Sequence, residues 1–239
     1  MNLTLRHIRA LFLAKATLVL FLLLTVVAMI AYPGGTNTNP HIEGYQFFQN
    51  FFSDLGRVTS FDGAPQYRPM LIFVSALTLA AIGQVLFYMM FPNFFRAGGR
   101  TLAFFGSFFG VMTGLGYLGI ALTPWDMFGA LHLHFVHVTF LSFELSVILY
   151  TIAIFRNPEY PNRYAWAFIA FCGVLTIYLV ILFFGPKADT EWGLTVQVTA
   201  QKILIYCQAA CVSFQVYGAI RIALKNMNPR SQTNLISHH

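Results

Sequence analysis

Charge is scarce in this chain, and acidic charge most of all: 9% of the 239 residues are charged and only eight are Asp or Glu. With 57% hydrophobic residues beside it, so low a charge content excludes both an ordinary soluble domain and a disordered chain. Cysteine is nearly absent as well. Cys172, Cys207 and Cys211 all lie inside apolar runs with no CxxC spacing, which excludes a disulfide framework and a zinc ribbon and leaves three small buried apolar side chains. A net charge of +6 would suggest nucleic acid in a soluble protein. Here the basic residues flank apolar runs, so no nucleic-acid role is assigned.

What fills the chain instead is a series of apolar runs. The first, over residues 11–32, follows Arg6 and Arg9 and has the charge pattern of a signal peptide ending near Ala31. A signal core is only about 7 to 15 residues, whereas a span needs about 20, so this run is expected to be a retained transmembrane helix. Further spans are expected over 70–91, 101–122, 130–155, 164–184 and 194–223. The fold class is therefore all-α, an integral membrane bundle of six transmembrane helices forming one domain over 1–236. A tail over 224–239 ends in Ser237, His238 and His239, which read as the start of an affinity tag. In the third span Gly106, Gly110 and Gly114 recur every four residues, a flat strip that lets a neighbouring helix approach closely.

Lysine and arginine set the expected orientation. The N-terminal segment, the two short loops and the tail hold Arg6, Arg9, Lys15, Arg96, Arg100, Arg156, Arg163, Arg221, Lys225 and Arg230. The opposite side holds only Arg57, Arg68 and Lys187, so both termini are expected in the cytoplasm, the chain crossing the plasma membrane. The long loop over 33–68 is then external. Its Tyr45, Phe48, Phe51, Phe52 and Leu55 recur at near-helical spacing and predict an interfacial helix ended by Gly56, with Ser53 and Asp54 at its end. Asp54 also reads simply as a turn cap.

Polar residues inside the spans mark the candidate site, because each is costly in lipid. On an ideal helix at roughly 100° per residue, His134 and His137 lie about 60° apart and Glu144 about 20° from His137, while His132 points about 160° from His134. His134, His137 and Glu144 thus share a face that excludes His132. Glu144 lies about 10 Å deeper than His137, too far to share one metal ion with it. On the sixth span Gln197, Gln201, Gln208 and Gln215 form a stripe of amides beside Lys202. Lys202 at that depth either snorkels or pairs with Asp54, Asp126 or Glu144.

These residues admit several chemistries. A divalent metal such as zinc would take His134, His137 and a carboxylate from Asp126 or Asp54, leaving a position open for water that attacks a lipid ester, amide or phosphate. Asp54, Asp126, His134 and Lys202 are the candidate catalytic groups, with Ser53, Gln201 and Lys202 on the substrate. His132, Glu144, Gln197 and Gln208 are read as buried polar groups. A haem held between facing helices is disfavoured because every histidine inside a span lies on the fourth, and a retinal Schiff base on Lys202 because that lysine lies near the surface of a six-span chain. A solute carrier is disfavoured for want of an inverted repeat.

The stretch Asn50-Phe51-Phe52-Ser53-Asp54-Leu55-Gly56, the glycine-rich third span running into Pro124, Asp126 and a following histidine, and Gln201-Lys202 together resemble domain of unknown function family 998, membrane proteins of bacteria and archaea. In that family glutamine tends to be followed by arginine rather than lysine, and the pattern has one histidine, which leaves His132 and His134 both open as its equivalent. The resemblance implies a six-span fold and a meeting of Asp54, Asp126, a histidine and Lys202 at the outer face, and it supplies no reaction. Two functions follow as expectations. One is action on a lipid or lipid-linked substrate by metal-assisted hydrolysis, with membrane lipids as partners. The other is a non-catalytic subunit, partnered by other membrane proteins, in which the polar network is structural.

Overall fold

Six helices account for most of the described residues, 5–95 and 97–227, of the computed structural model: α1 (Leu5–Ile30), α2 (Tyr67–Met90), α3 (Ala97–Leu122), α4 (Trp125–Phe155), α5 (Arg163–Phe184) and α6 (Glu191–Met227). All six are long and apolar enough to cross a membrane, with mean hydropathy between 1.5 and 2.7 over their best windows. The described residues contain no strand, only isolated bridges at Gly34–Glu43 and Thr59–Pro65. Arg96, Arg230, His238 and His239 lie outside the described residues.

The ends of the helices shift from expectation for local reasons. Helix α2 stops at Met90 because Pro92 cannot continue the hydrogen-bond ladder, and a 3₁₀ turn over Phe91–Phe94 carries the chain away. Helix α4 starts directly after Pro124, five residues before the expected start, and absorbs a kink at Phe128 (φ −131°, ψ 36°). Helix α6 runs on to Met227, taking in the first residues assigned to the tail.

The helices pack in chain order, each on the next, and α6 returns to α1, so the bundle closes into a ring. Aromatic side chains fill its interior. Tyr88, Phe91, Tyr150, Tyr160 and Phe168 form a cluster at one end, and Phe21, Tyr32, Phe52, Leu55 and Phe73 form another beneath the long loop. The outside is apolar too, with Leu23, Ile30, Phe104, Phe108, Trp166 and Phe184 all exposed, a surface suited to lipid rather than water.

The glycine strip on α3 brings the helices together as its spacing implies. A Cβ on Gly110 would lie 2.2 Å from Cγ of the fully buried Tyr88, and one on Gly106 2.8 Å from the ring of Tyr150. Because the blocking atom of Tyr88 sits at the root of its ring, the side chain has nowhere to swing. Gly110→Ala is expected to destabilise the bundle by about 1–3 kcal/mol or more, read as a lowered midpoint of thermal unfolding in detergent.

The long loop departs most from expectation. Its aromatic spacing does not produce an interfacial helix; helical backbone is confined to a 3₁₀ turn over Phe52–Gly56. Asn50 explains the difference. Its Oδ1 accepts the Gln46 N–H at 2.8 Å and its Nδ2 donates to the Gly35 carbonyl at 2.8 Å, so a side chain takes bonds that a helix ladder would need. Gly34 (φ 143°) turns the preceding segment where any side chain would strike the Ile42 carbonyl.

Candidate functional site

Four of the expected residues hold the long loop on the bundle. Asp54 is 4% exposed and its Oδ2 accepts both the Phe51 N–H at 2.8 Å and the Asn50 amide at 3.2 Å. Burial pushes its carboxyl up to about 6 from 3.8, opposed by the Asn50 amide, the Arg57 guanidinium, the Phe51 N–H and Lys202. Gln66 donates to the Asp54 carbonyl at 2.7 Å and to that of Arg57 at 3.0 Å, closing the turn from the other side.

Lys202 on α6 is 2% exposed and does not snorkel. Its Nζ donates to the Asn50 carbonyl at 2.6 Å and sits 4.5 Å from the ring centre of Phe52, 5.2 Å from Tyr45 and 5.3 Å from Phe47. Three aromatic faces thus replace water around the ammonium. The neighbouring Gln201 accepts the Phe52 N–H at 2.9 Å. Asp126, at the start of α4, receives the Val58 N–H at 3.1 Å and both the N–H and the hydroxyl of Thr59 at 2.9 Å. Asp54, Lys202, Gln201 and Asp126 thus form one clasp, in which the two carboxylates are occupied by loop donors.

Beside the clasp, among α1, α2, α3, α4, α6 and the 3₁₀ turn, lies a cavity of about 40 Å³, lined among others by Ser53, His132 and Gln201, with Phe73, Tyr117 and Phe140 as part of its wall. That volume has room for roughly two or three waters. His132 is 4% exposed, and its Nδ1 lies 2.6 Å from the Thr123 carbonyl. A carbonyl only accepts, so Nδ1 carries the proton and donates it; in the neutral ring Nε2 is then a bare acceptor, without a partner among the described residues. Among the same residues Ser53 Oγ has no hydrogen-bond partner either. The amide nitrogen of Gln201 is also free, since only its oxygen is engaged. Tyr117 is satisfied by donating to Gln208 at 2.7 Å.

Comparison of the chain with family models, curated proteins and solved structures finds no match. Its chemistry is therefore read from its own side chains.

The histidine assignment changes most. His134, expected in the site, is exposed on the outside of the bundle, and His137 packs on the ring of Phe183 on α5 at 4.7 Å between centres. Glu144 belongs to the same outward face, where its Oε1 accepts the Thr176 hydroxyl at 2.7 Å and the Cys172 thiol at 3.0 Å. The metal set of His134, His137 and Asp126 is not brought together, and among the described residues no three His, Cys, Asp or Glu side chains gather as a ligand group. The stripe of amides divides among neighbours: Gln197 donates to the Ile181 and Pro186 carbonyls, Gln201 serves the loop, Gln208 meets Tyr117, and Gln215 donates to the Tyr164 carbonyl. The signal that points to His132 is its offset of seven from Thr139 and of fourteen from Ser146, both fully buried, which puts all three on the inner stripe of α4.

Proposed function

We propose that this chain is a multi-pass protein of a bacterial or archaeal cytoplasmic membrane, with both termini inside, whose cavity beside the clasp receives the polar group of a lipid or lipid-linked substrate. His132 is the proton acceptor of that cavity. The observation that carries the reading is the imidazole itself, fixed by the Thr123 carbonyl, with its Nε2 unpaired among the described residues, on a side chain that lines one cavity with Ser53 and Gln201. The orientation rests on the excess of Lys and Arg at the ends and short loops, which places the clasp and cavity on the outer side. Asp54, Asp126 and Lys202 are better read as structural, because each is spent on the loop's own polar groups. The likeness to domain of unknown function family 998 is part of this proposal; Asn50, Asp54, Asp126 and Lys202, among the residues on which it rests, all bond within the long loop or hold it on the bundle.

The test is native mass spectrometry of delipidated protein titrated with phosphatidylglycerol. Wild type is expected to hold one lipid per chain saturably. His132→Phe keeps a ring against Trp125, whose centre lies 5.7 Å away, but loses both nitrogens, and is expected to lower retention at least tenfold. Equal retention by the variant, or none by wild type, overturns the reading.

A further inference from the structure

We propose that Ser53 is the nucleophile of an acyl transfer from a fatty-acyl ester, with His132 as its base and the Gln201 amide as the donor to the oxyanion. This rests on the reading of the cavity given above and names the reaction that it would serve. The three groups lie on different elements, the 3₁₀ turn, α4 and α6, yet line one cavity of about 40 Å³. Each brings the one valence that the reaction needs, and no group among the described residues competes for it. Ser53 has a free hydroxyl. His132 has a bare Nε2 and a tautomer fixed at Nδ1 by the Thr123 carbonyl, so Thr123 acts as a positioning residue. Gln201 has its oxygen tied to the Phe52 N–H, which turns the amide into a donor only. The rest of the wall is apolar, with Phe21, Phe73, Leu77, Ile120 and Ile205, and suits the first methylenes of an acyl chain next to the ester.

The atoms balance without a further reactant than water. Ser53 Oγ bonds to the ester carbonyl carbon while its proton passes to His132 Nε2, and the carbonyl oxygen, now negative, takes a hydrogen bond from Gln201 Nε2. The bond to the alcohol breaks, and that alcohol oxygen takes the proton back from Nε2. Water then gives a proton to Nε2 and attacks the acyl-serine carbonyl, and the returned proton restores the Ser53 hydroxyl as the carboxylic acid leaves. Ser53 and His132 are not hydrogen-bonded to each other here but line the same cavity, so substrate entry is what brings the pair into reach. Ser53 is also partly exposed, whereas His132 is buried, so a reagent reaches the hydroxyl first.

The experiment is exposure of the full-length protein in mild detergent to an alkyl fluorophosphonate, in which an activated serine displaces fluoride from phosphorus, followed by peptide mapping. The expected result is an adduct on Ser53 in wild type, formed at least 100-fold more slowly in His132→Gln and absent from Ser53→Ala. Ser53→Ala removes a hydroxyl with no hydrogen bond, so its thermal midpoint is expected to match wild type, and mapping of wild type needs no variant at all. No adduct on Ser53, with phosphatidylglycerol still retained by wild type and lost from His132→Phe, overturns the nucleophile and leaves the cavity's binding role standing. No adduct and no lipid retention overturns both. An adduct on Ser53 that forms equally fast in His132→Gln overturns the pairing of the two residues.

Discussion

Lys202→Met is expected to destabilise the docked loop by about 1–3 kcal/mol at pH 7, and Asp54→Asn in the same chain to recover part of that loss. The first figure is the cost of leaving a buried polar group less well compensated. Lys202 makes no direct ion pair with Asp54, but its field is one of the influences that keep that carboxylate charged, and with it gone only Arg57 opposes burial by charge. The lost hydrogen bond matters less, because the Asn50 carbonyl still accepts the Tyr45 hydroxyl at 3.0 Å. Methionine also keeps an unbranched stem among the rings of Phe52, Tyr45 and Phe47, so little packing is lost. The measurement is a double-mutant cycle on thermal unfolding in detergent, alongside the rate at which a protease cuts the loop between α1 and α2. A coupling of at least about 1 kcal/mol between the two sites is expected. Strictly additive losses would mean that the two charges do not sense each other and that the clasp is a set of separate bonds.

How far the sequence disclosed this arrangement depended on which physical signal each part carries. The six helices follow from apolar runs of spanning length, a signal that sums over about twenty residues and so survives local exceptions such as the kink at Phe128. The close approach of α3 to its neighbours was legible in Gly106 and Gly110, because a missing side chain has one consequence at a helix face. The loop was not legible in the same way. Its aromatic spacing is helical, but the backbone is decided by Asn50, whose side chain bonds to residues four and fifteen positions away. The site divides similarly. Asp54, Gln201 and Lys202 were identified as neighbours, yet their role as a clasp depends on backbone donors and acceptors that no spacing reports. His132 is read from the sequence as a buried polar group, which its 4% exposure bears out, but not as a site residue, because angular separation groups residues into faces without saying which face turns inward. Thr139 and Ser146, small polar residues on His132's side, carried that missing information.

Acidity should tighten the clasp. Asp54 lies outside the helices, and burial raises its carboxyl from 3.8 to about 6. Between these values the folded chain holds a proton that the unfolded chain has already lost, so stability falls as pH rises through this window. The contribution is fully present below 3.8 and is gone above about 6, a difference on the order of 3 kcal/mol when the shift is converted at 1.36 kcal/mol per unit. Asp62 works in the opposite sense. Ser60 and the Ala64 N–H hold its carboxyl low, so its contribution is lost as pH falls, but it is exposed and its effect is correspondingly small. Asp54→Asn isolates the larger effect. Both donors to Asp54 reach the same oxygen, so one amide oxygen in its place keeps the Phe51 and Asn50 bonds while removing the titration. Thermal midpoints of wild type are therefore expected to be higher at pH 4.5 than at pH 7, with the slope markedly flatter in Asp54→Asn. The penalty of Lys202→Met should shrink over the same interval, because at pH 4.5 the neighbouring carboxyl is protonated and has no charge left to compensate. A variant with the wild-type slope would show that the pH dependence arises elsewhere and that Asp54 is already ionised at the lower pH.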